Sequence, residues 1–471
     1  MPEAVLKKGL PKAPNQHLEP NRLNTENNSY QPEGKARTGL VARKVATQIL
    51  TRVVDDARNL DALCDEVHGL SAYRALIAKD RAMIRAILMI ALRRRVQIEA
   101  VLKKTMDRKP PKRARWLIHS LHIAITQILF MDIPDSAAVN LGVTAIAEDK
   151  RTTRFKNMAN AVLRRVANEK EALLQSTANG KIFPDWLAKQ IRSDYGKAKL
   201  DDISKMLLLE SQLDVTTKNN PQEWVEKLDG QLLETGTIRI SNKTPVSQLE
   251  GFSEGAWWVQ DAAASIPATL LGDVSGKSVL DLCAAPGGKT AQIAARGGNV
   301  TALDVSAPRL KRLQENLDRL KLKANLVEAD ILEWQCPEPF DAALLDAPCS
   351  STGTIRRHPD IMWTKTRDDI DALVKLQYQL ILKAKEFVRP GGILVFSNCS
   401  LLKSEGENLL AQVMKECDDL KLLPLDKQEF PALSEFINGQ GAIRTLPFHL
   451  PREEAGDGGL DGFFACRFEK R

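Results

Sequence analysis

Apolar residues recur at helical spacing along the first third of the chain, after a polar start. Residues 1–38 show hardly any apolar pattern and are predicted to be a disordered leader. Two later runs repeat near every 3.6 residues: Val45, Ile49, Leu50, Val53 and Val54, then Ile84, Ile87, Leu88, Ile90 and Leu92. Pro110-Pro111 and Pro134 break the pattern. Residues 39–168 are therefore expected to form an all-α domain of six or seven helices.

Beyond residue 245 the pattern changes to short apolar strands that alternate with helices. The predicted strands are residues 278–283, 299–306, 324–330, 340–348 and 391–400. Such alternation is typical of a parallel sheet with helices on both faces, so residues 246–471 are expected to be an α/β domain. Residues 169–245 mix helix and strand patterns and are interpreted as a small α+β connector. Ser404 and Glu407 have the spacing of a capping box for the helix that follows.

Composition places the chain among globular proteins of several domains. It has 471 residues, of which 43% are hydrophobic and 27% charged, and its mean hydropathy is −0.26. The N-terminus lacks a secretory h-region and no apolar run reaches roughly 18 residues, so neither secretion nor a membrane partner is expected. Seven cysteines, an odd and sparse set, argue against a disulfide framework. A cytoplasmic location is expected, and no obligate protein partner is evident.

The net charge of +7 is unevenly placed. Residues 101–170 contain 14 Lys and Arg against six Asp and Glu. The cations dominate two clusters: Lys103, Lys104, Arg108, Lys109, Lys112, Arg113 and Arg115, then Lys150, Arg151, Arg154, Lys156, Arg164 and Arg165. Two interpretations stay open, a solvated helical face and a surface that faces nucleic-acid phosphates. The six histidines form no ligand cluster, so no metal site is expected.

The first strand of the α/β domain runs into a glycine-containing turn, DLCAAPGGKT, at residues 281–290. Its two glycines let backbone approach a ligand, and the next helix offers free N–H groups to an anion. The G-x-G-x-x-G spacing of dinucleotide sites is absent, which favours a carboxylate over a pyrophosphate. Asp304 and Asp330 end the next two strands, where a ribose and an adenine would lie. A nucleoside joined to an amino-acid carboxylate describes S-adenosylmethionine, while a generic nucleotide fold stays open.

Two cysteines lie at the ends of the following pair of strands. Cys349 follows Asp346-Ala347-Pro348, and Cys399 lies at the end of the fifth predicted strand. Both thiols are expected to face the cofactor's methyl group, because parallel strands end at one sheet edge. A thiolate that adds to C6 of a cytosine makes C5 able to accept a methyl cation, and Asp346 is placed to bind the N3/N4 edge of the base. A redox pair is the competing interpretation, but C-x-x-C spacing is absent.

At these motifs the chain resembles the RNA 5-methylcytosine methyltransferases. The resemblance is carried by DLCAAPGGKT, LLDAPCSSTGTIRRHPDIMW, NCSLLKSEGEN and, at residues 459–464, GLDGFF. The helical part, through DRAMIRAILMIALRRR, AAVNLGVTAIAEDKR and FKNMANAVLRRV, is similar to the NusB-like RNA-binding domain. Joined in one chain, the two parts resemble the bacterial 16S ribosomal RNA cytosine-C5 methyltransferases over roughly residues 40–471.

This resemblance implies a Rossmann-like methyltransferase domain, S-adenosyl-L-methionine as cofactor and RNA as partner. Small-subunit ribosomal RNA is the favoured substrate, and transfer RNA is the alternative. Cys399 would be the nucleophile, Cys349 would assist proton removal from C5 and product release, and Asp346 would be the third catalytic residue. Cofactor contacts would come from Cys283, Ala284, Ala285, Pro286, Gly287, Gly288, Lys289, Asp304, Asp330 and Asp346. Arg309 lies where the family often has a basic residue, and Asn398 replaces the family's usual Thr.

Two other classes of protein remain as alternatives. One is an RNA-binding assembly factor with a catalytically idle α/β domain, against which intact Cys349, Cys399 and Lys289 argue. The other is a nicotinamide-dependent oxidoreductase, which the missing dinucleotide fingerprint disfavours. Trp257 and Trp258 are interpreted as core-packing residues in preference to a surface for the adenine.

Overall fold

The structure is a computed structural model that describes residues 33–471 apart from 109, 112, 179, 242–243 and 451–457. Most of the predicted leader, residues 1–32, lies outside the described residues. Residues 33–38 belong to a helix, so the helical region begins before the expected boundary at residue 38. The reason is that no proline interrupts residues 33–55, and a helix continues past the last position of its buried stripe where nothing breaks it.

The first part of the chain is a stack of helices around one apolar helix. Their bounds are α1 Glu33–Asp55, α2 Leu60–Leu63, α3 Ser71–Arg74, α4 Ala78–Arg93, α5 Arg95–Thr105, α6 Arg115–Phe130, α7 Asp135–Glu148, α8 Lys156–Asn168, α9 Lys170–Thr177 and α10 Asp185–Leu207. α1, α4, α5, α7 and α8 all pack on α6. The expected all-α organisation is confirmed: among the described residues up to 168, six helices exceed ten residues and two are single turns.

α8 shows how the sequence forms this layer. Ala159, Val162, Leu163 and Val166 are spaced three and four apart and are all buried, so they form one stripe against the neighbouring helices. The cations of the same helix lie on its opposite, exposed face. Core and basic surface are therefore two sides of the same helical repeat.

A small antiparallel sheet follows the helices. It is built from β1 Leu213–Thr217, β2 Gly230–Leu232, β3 Ile238–Ile240 and β4 Trp257–Val259, with α11 Pro221–Lys227 between β1 and β2. The strand order is β2-β3-β1-β4. β4 lies beyond residue 245, where the connector was expected to end. Three residues are too few to display a two-residue alternation, so the sequence pattern did not reveal this strand.

The remaining residues build an α/β layer on an eight-stranded sheet. Its elements are α12 Ala262–Thr269, β5 Ser278–Leu282, α13 Gly288–Ala295, β6 Asn299–Asp304, α14 Ala307–Leu320, β7 Asn325–Glu328, β8 Phe340–Asp346, α15 Ile361–Thr364, α16 Arg367–Ala384, β9 Val388–Asn398, α17 Glu407–Glu416, β10 Leu420–Leu422, β11 Ile443–Thr445 and β12 Phe463–Lys470. The order is β10-β12-β9-β8-β5-β6-β7, with β11 paired to β12. The predicted α/β fold is confirmed, and its five central strands, β9 to β7 in that order, are parallel.

The capping box expected at Ser404 and Glu407 does not form. Ser404 lies in a single 3-10 turn, and Gly406 is the residue that precedes α17, without a side-chain cap. The Glu407 carboxylate instead pairs with the buried guanidinium of Arg444, with Nη2 to Oε2 at 2.7 Å and Nε to Oε1 at 3.0 Å. A charge-assisted bidentate pair is stronger than a hydrogen bond to the backbone, so it takes the carboxylate away from the cap.

The helical part packs on the loop that follows Cys349, residues 350–360. The Asp360 carboxylate accepts a hydrogen bond from the Leu60 N–H at 3.1 Å. His358 Nδ1 lies 3.0 Å from the carboxylate of Asp61. α2 therefore contacts the loop of residues 350–360 directly.

Candidate active site

The carboxyl ends of the central parallel strands bring most of the predicted site residues to one cavity. The cavity has a volume of about 360 Å³. The predicted residues that line it are Cys283, Ala285, Asp304, Arg309, Asp330, Asp346, Cys349 and Cys399. They come from loops that are distant in sequence, so the sheet topology alone makes them neighbours.

The other predicted cofactor residues face an adjoining cavity of about 450 Å³. Those residues are Ala284, Pro286, Gly287, Gly288 and Lys289. Cys283, Ala285 and Asp346 line both cavities. The turn between β5 and α13 therefore forms the partition between the two spaces.

Gly287 is the position in this turn where a side chain does not fit. Its φ is +102°, a left-handed conformation, and an added Cβ would lie 2.7 Å from Leu313 Cγ. The neighbouring Gly288 has ordinary space, because the nearest atom to an added Cβ would be Gln260 Cδ at 3.6 Å. The two glycines, equivalent in the sequence, thus have different constraints.

Asp304 braces the turn from the end of β6. Its carboxylate accepts hydrogen bonds from the Ala285 N–H at 3.1 Å and the Ser306 N–H at 3.0 Å. The Arg309 guanidinium lies 3.2 Å from the same carboxylate and also donates to the Ala285 carbonyl. Asp330 is exposed two residues beyond β7, and its Oδ1 accepts from the Leu332 N–H at 2.9 Å. Both carboxylates line the smaller cavity.

Asp346 forms an ion pair beside the two thiols. Lys289 Nζ lies 2.7 Å from Asp346 Oδ2, and Ser397 Oγ donates to Asp346 Oδ1 at 3.0 Å. The Lys289 ammonium also lies over the ring of Phe463, 5.1 Å from its centroid. These contacts fix one cation and one anion at the junction of the two cavities.

Cys349 and Cys399 are in contact as free thiols. Their Sγ atoms are 3.5 Å apart. The hydrogen bond from Cys349 lowers the pKa of Cys399, and the same contact with burial raises the pKa of Cys349 well above its ordinary value. The pair therefore favours a thiolate on Cys399 and a neutral thiol on Cys349. By contrast, burial raises the pKa of Cys283 at the partition, so that thiol stays protonated.

Glu405 is a buried residue of the site that the sequence did not reveal. Its carboxylate accepts from the Ser350 N–H at 2.8 Å and from the hydroxyls of Ser350 and Ser400, both at 2.5 Å. The Asn398 amide donates to the Glu405 carbonyl at 2.7 Å, so the residue that departs from the family pattern is well accommodated. Glu405 belongs to the NCSLLKSEGEN motif, but the motif alone gave it no role, because its hydrogen-bond partners depend on the loop geometry.

Asp281 is a second buried carboxylate, beneath the turn. Thr290 Oγ1 donates to its Oδ2 at 2.5 Å, whereas its Oδ1 has no hydrogen-bond partner in the described part of the chain. Burial raises the pKa of Asp281 to about 7. Trp257 and Trp258 are both buried, as core-packing residues are, and Trp258 also lines the larger cavity.

Neither a metal centre nor a membrane span is found in the part of the chain that the structure describes. No three His, Cys, Asp or Glu residues there are grouped to hold a metal ion. No helix there is both long and apolar enough to cross a bilayer.

Solved structures share this architecture. The crystal structure of PH0851 matches with a TM-score of 0.69 at 23% identity, over 92% of this chain and 98% of that chain. A methyltransferase homologue from Pyrococcus horikoshii matches with a TM-score of 0.51 at 25% identity, over 61% of this chain and 96% of that chain. The fold and the site define a Rossmann-like methyltransferase preceded by a helical domain.

Sequence comparisons assign the family. Residues 268–469 match the family described as 16S rRNA methyltransferase RsmB/F, and residues 40–168 match the NusB family. The ribosomal RNA small subunit methyltransferase B of Xanthomonas campestris is 35% identical, over 91% of this chain and 97% of that protein. The protein of the same name from Pasteurella multocida is 34% identical, over 92% and 96%. The chain belongs to the 16S rRNA methyltransferase RsmB/F family and is an RNA methyltransferase, which confirms the expected family and activity class.

Proposed function

We propose that this protein methylates C5 of a cytosine in small-subunit ribosomal RNA, with S-adenosyl-L-methionine as methyl donor and Cys399 as covalent nucleophile. The observation that carries the proposal is the pair of thiols, 3.5 Å apart, at the cavity that the predicted cofactor residues line. A cytosine needs a nucleophile at C6 before C5 can accept a methyl group, and a low-pKa thiolate is suited to that role. The named substrate of the relatives supports the choice of RNA.

The residues at the site fit the methyl donor S-adenosylmethionine. The smaller cavity has carboxylates at Asp304 and Asp330, which suit a ribose and an adenine, and the helix α13 begins at the partition, where its free N–H groups suit a carboxylate. The larger cavity adjoins it through Asp346 and is lined by Lys289, Arg357 and His358, so it suits the RNA backbone beside the reacting cytosine. The cytosine itself must reach Cys399, which lines the smaller cavity. When bound, S-adenosylmethionine supplies the methyl cation.

The chain's own residues account for the remaining steps. The Cys399 thiolate forms a bond to C6, the C5=C6 electron pair moves to the C4–C5 bond, and N3 takes a proton from water. Asp346 and Lys289 are placed to bind the polar edge of the base while this occurs. After the methyl group has joined C5, the proton on C5 must leave. Once Cys399 is bonded to C6, it no longer carries the charge that helps to raise the pKa of Cys349. Cys349 then loses its proton to water and accepts the C5 proton as a thiolate. Elimination breaks the Cys399–C6 bond, and N3 gives up the proton that it took.

Methyl transfer with defined RNA tests the proposal. Purified full-length protein is incubated with methyl-labelled S-adenosylmethionine and small-subunit ribosomal RNA transcribed in vitro, and the digested nucleosides are identified by mass spectrometry. We expect labelled 5-methylcytidine with wild type and none with Cys399→Ala. Label only in a parallel sample of transfer RNA would favour the other substrate, and RNA binding without any methyl transfer would favour an assembly factor.

A further inference from the structure

The helical domain contains a cavity of about 710 Å³ that the methyl-transfer reaction does not use. It lies between α5 and α6, and Leu102, Met106 and Ile118 supply apolar walls. His119 and His122 line it as well; they are 2% and 0% exposed. None of its lining residues contacts Cys349 or Cys399 in the described structure.

The histidines hold unpaired polar atoms directly beneath the wall of this cavity. His119 Nδ1 and His122 Nε2 are buried and have no hydrogen-bond partner among the described residues. Burial lowers the pKa of His119 to about 4 and that of His122 well below its ordinary value, so both rings are neutral at pH 7. An unpaired buried nitrogen costs free energy unless a ligand satisfies it. A ring that turns toward the cavity would therefore gain a hydrogen bond to a neutral polar partner there.

Charges in the cavity wall are already compensated. Arg95 lies 3.2 Å from Glu99, and Arg115 lies 3.7 Å from Asp55. Lys103 and Asp107 also line the cavity and add one charge of each sign, so its wall has little net charge to attract a free anion. Further exposed cations lie on the surrounding surface: Lys104, Arg108 and Arg113. An apolar, neutral pocket inside a basic surface matches a nucleotide whose base is buried and whose phosphates stay outside.

We propose that this cavity binds an unpaired nucleobase of the RNA substrate, with the adjacent phosphates on the surrounding basic surface. The inference rests on the proposed RNA-modifying function but concerns a site separate from the reacting cytosine. Apolar walls stack on the base, and the two imidazoles bind its polar edge. The helical domain then recognises an unpaired nucleotide in addition to attracting the RNA backbone.

Two variants of the full chain test this site with in vitro transcribed small-subunit ribosomal RNA. His122→Leu removes the polar edge at similar volume, and Ile118→Trp fills the cavity and leaves both histidines in place. Both should raise the Kd for RNA about tenfold, the value of one base contact or stack. The slope of log K against log salt should stay unchanged, because no phosphate contact is lost. Arg108→Ala, the matched surface control outside the cavity, should flatten that slope.

The readouts separate this proposal from the proposed function. In both variants KM for the RNA should rise together with its Kd, while KM for S-adenosylmethionine stays at the wild-type value. A failure of the wild type to methylate would count only against the proposed function. Unchanged Kd values would overturn the base site, and a flattened slope in Ile118→Trp would indicate a phosphate site instead. Thermal melting reports whether His122→Leu folds. As a second measurement, 4-thiouridine crosslinks from the RNA should map to α6 in wild type, and their absence would also contradict the proposal.

Glu405 links the two loops that carry the cysteines. Ser350 and Ser400, whose hydroxyls both donate to its carboxylate, each directly follow one of the two cysteines. The Glu405 side chain is 0% exposed and therefore has no competing water. We infer that Glu405 is a positioning residue that holds the two cysteine loops together and so sets the distance between Cys349 and Cys399.

Two substitutions of Glu405 distinguish its role in positioning the cysteine loops from an effect of its charge. Glu405→Ala should lower kcat about a hundredfold, as a displacement of about 1 Å can. KM for S-adenosylmethionine should stay within about twofold, since the carboxylate does not line the cofactor cavity. Glu405→Gln, which keeps the shape and an acceptor, should recover most of the activity. A Gln variant as inactive as the Ala variant, or equal losses in kcat and cofactor affinity, would overturn the inference. If the Ala variant does not fold, Ser400→Ala removes one anchor and should show the same split.

Discussion

Cys349 and Cys399 lie 3.5 Å apart but have opposite electrostatic surroundings. Cys399 accepts a hydrogen bond and lies near the Lys289 ammonium, both of which lower its pKa. Cys349 donates that hydrogen bond and lies near the Glu405 carboxylate, which raises its pKa. The sequence places both thiols at strand ends and treats them alike. The structure therefore adds a physical reason for the nucleophile that the family resemblance implied.

The asymmetry predicts which variant traps RNA. Cys399→Ala should lose methyl transfer by more than about a thousandfold and form no covalent species, because the nucleophile is absent. In Cys349→Ala, Cys399 should still attack C6 and the cytosine should still accept the methyl group at C5. The reaction should then stall, because no thiol removes the proton from C5. A denaturing gel should show a slowly migrating protein–RNA band for Cys349→Ala alone. A band in Cys399→Ala that requires Cys349 would reverse the two roles.

The pH dependence of alkylation checks the pKa shift directly. The Cys349 thiol stabilises the Cys399 thiolate, so removing it with Cys349→Ala should raise the pKa of Cys399. The pH midpoint of iodoacetamide reaction at Cys399, followed by peptide mass spectrometry, should therefore move upward. Cys399→Ala defines the background from the other thiols. A midpoint that is unchanged or lower would show that the contact does not tune this thiol.

The turn between β5 and α13 must approach a ligand closely and must also pack against α14. Its motif could be read from the sequence, since glycines before a helix are a common way to approach a ligand. Which glycine is essential could not be read, because the answer depends on Leu313 of α14, which packs against Gly287 and not Gly288. Glu405 was hidden for the same reason: its role depends on partners that are distant in sequence.

A pair of alanine variants tests this turn. Gly287→Ala places a Cβ at positive φ and against Leu313, which costs about 1–2 kcal/mol and should weaken S-adenosylmethionine binding about tenfold. Gly288→Ala has space for its methyl group and should bind like wild type. Isothermal titration calorimetry measures both. Equal affinities for the two variants would mean that the turn tolerates a side chain at either position.

Element order was predicted better than element pairing. The five parallel strands were all located from their apolar runs, and four of them, β5, β6, β8 and β9, are largely buried, which gives a strong local signature. β12 was not foreseen as the antiparallel neighbour of β9, since pairing between distant segments leaves no mark in either segment alone. The three-residue strand β4 was missed for lack of length. The apolar runs in the sequence thus located the loops that carry the site. That these loops lie side by side follows only from the strand order of the sheet.

At the scale of the whole molecule, the basic cluster around the start of α8, which consists of Arg151, Arg154 and Lys156, bears on RNA affinity. Arg151 is paired with Asp149 at 2.7 Å, whereas Arg154 and Lys156 have no ion-pair partner among the described residues. Removing Arg154 and Lys156 together should flatten the slope of log K against log salt by about 1.4–1.8, the value of two phosphate contacts. Cofactor affinity should not change. Filter binding across a salt series measures the slope.

A matched pair of cations serves as the control for that experiment. Lys181 and Lys205 are exposed outside α8 and pair with Asp185 and Asp202. Their removal should leave the slope near the wild-type value, because each already has a counterion. If the loss of Arg154 and Lys156 and the loss of Lys181 and Lys205 flatten the slope equally, the change in slope reflects net charge. The basic cluster is then an ordinary solvated surface.

The position of β12 has a consequence for the synthesis of the chain. β12 lies between β9 and β10, and its Phe464 pairs with Asn398, next to Cys399. A ribosome makes β9 well before β12, so the nascent chain carries β9 with an open edge in the meantime. Phe463, which lies under the Lys289 ammonium, also arrives late. We therefore expect methyl transfer only from chains in which β12 has been made and has closed the sheet beside Cys399.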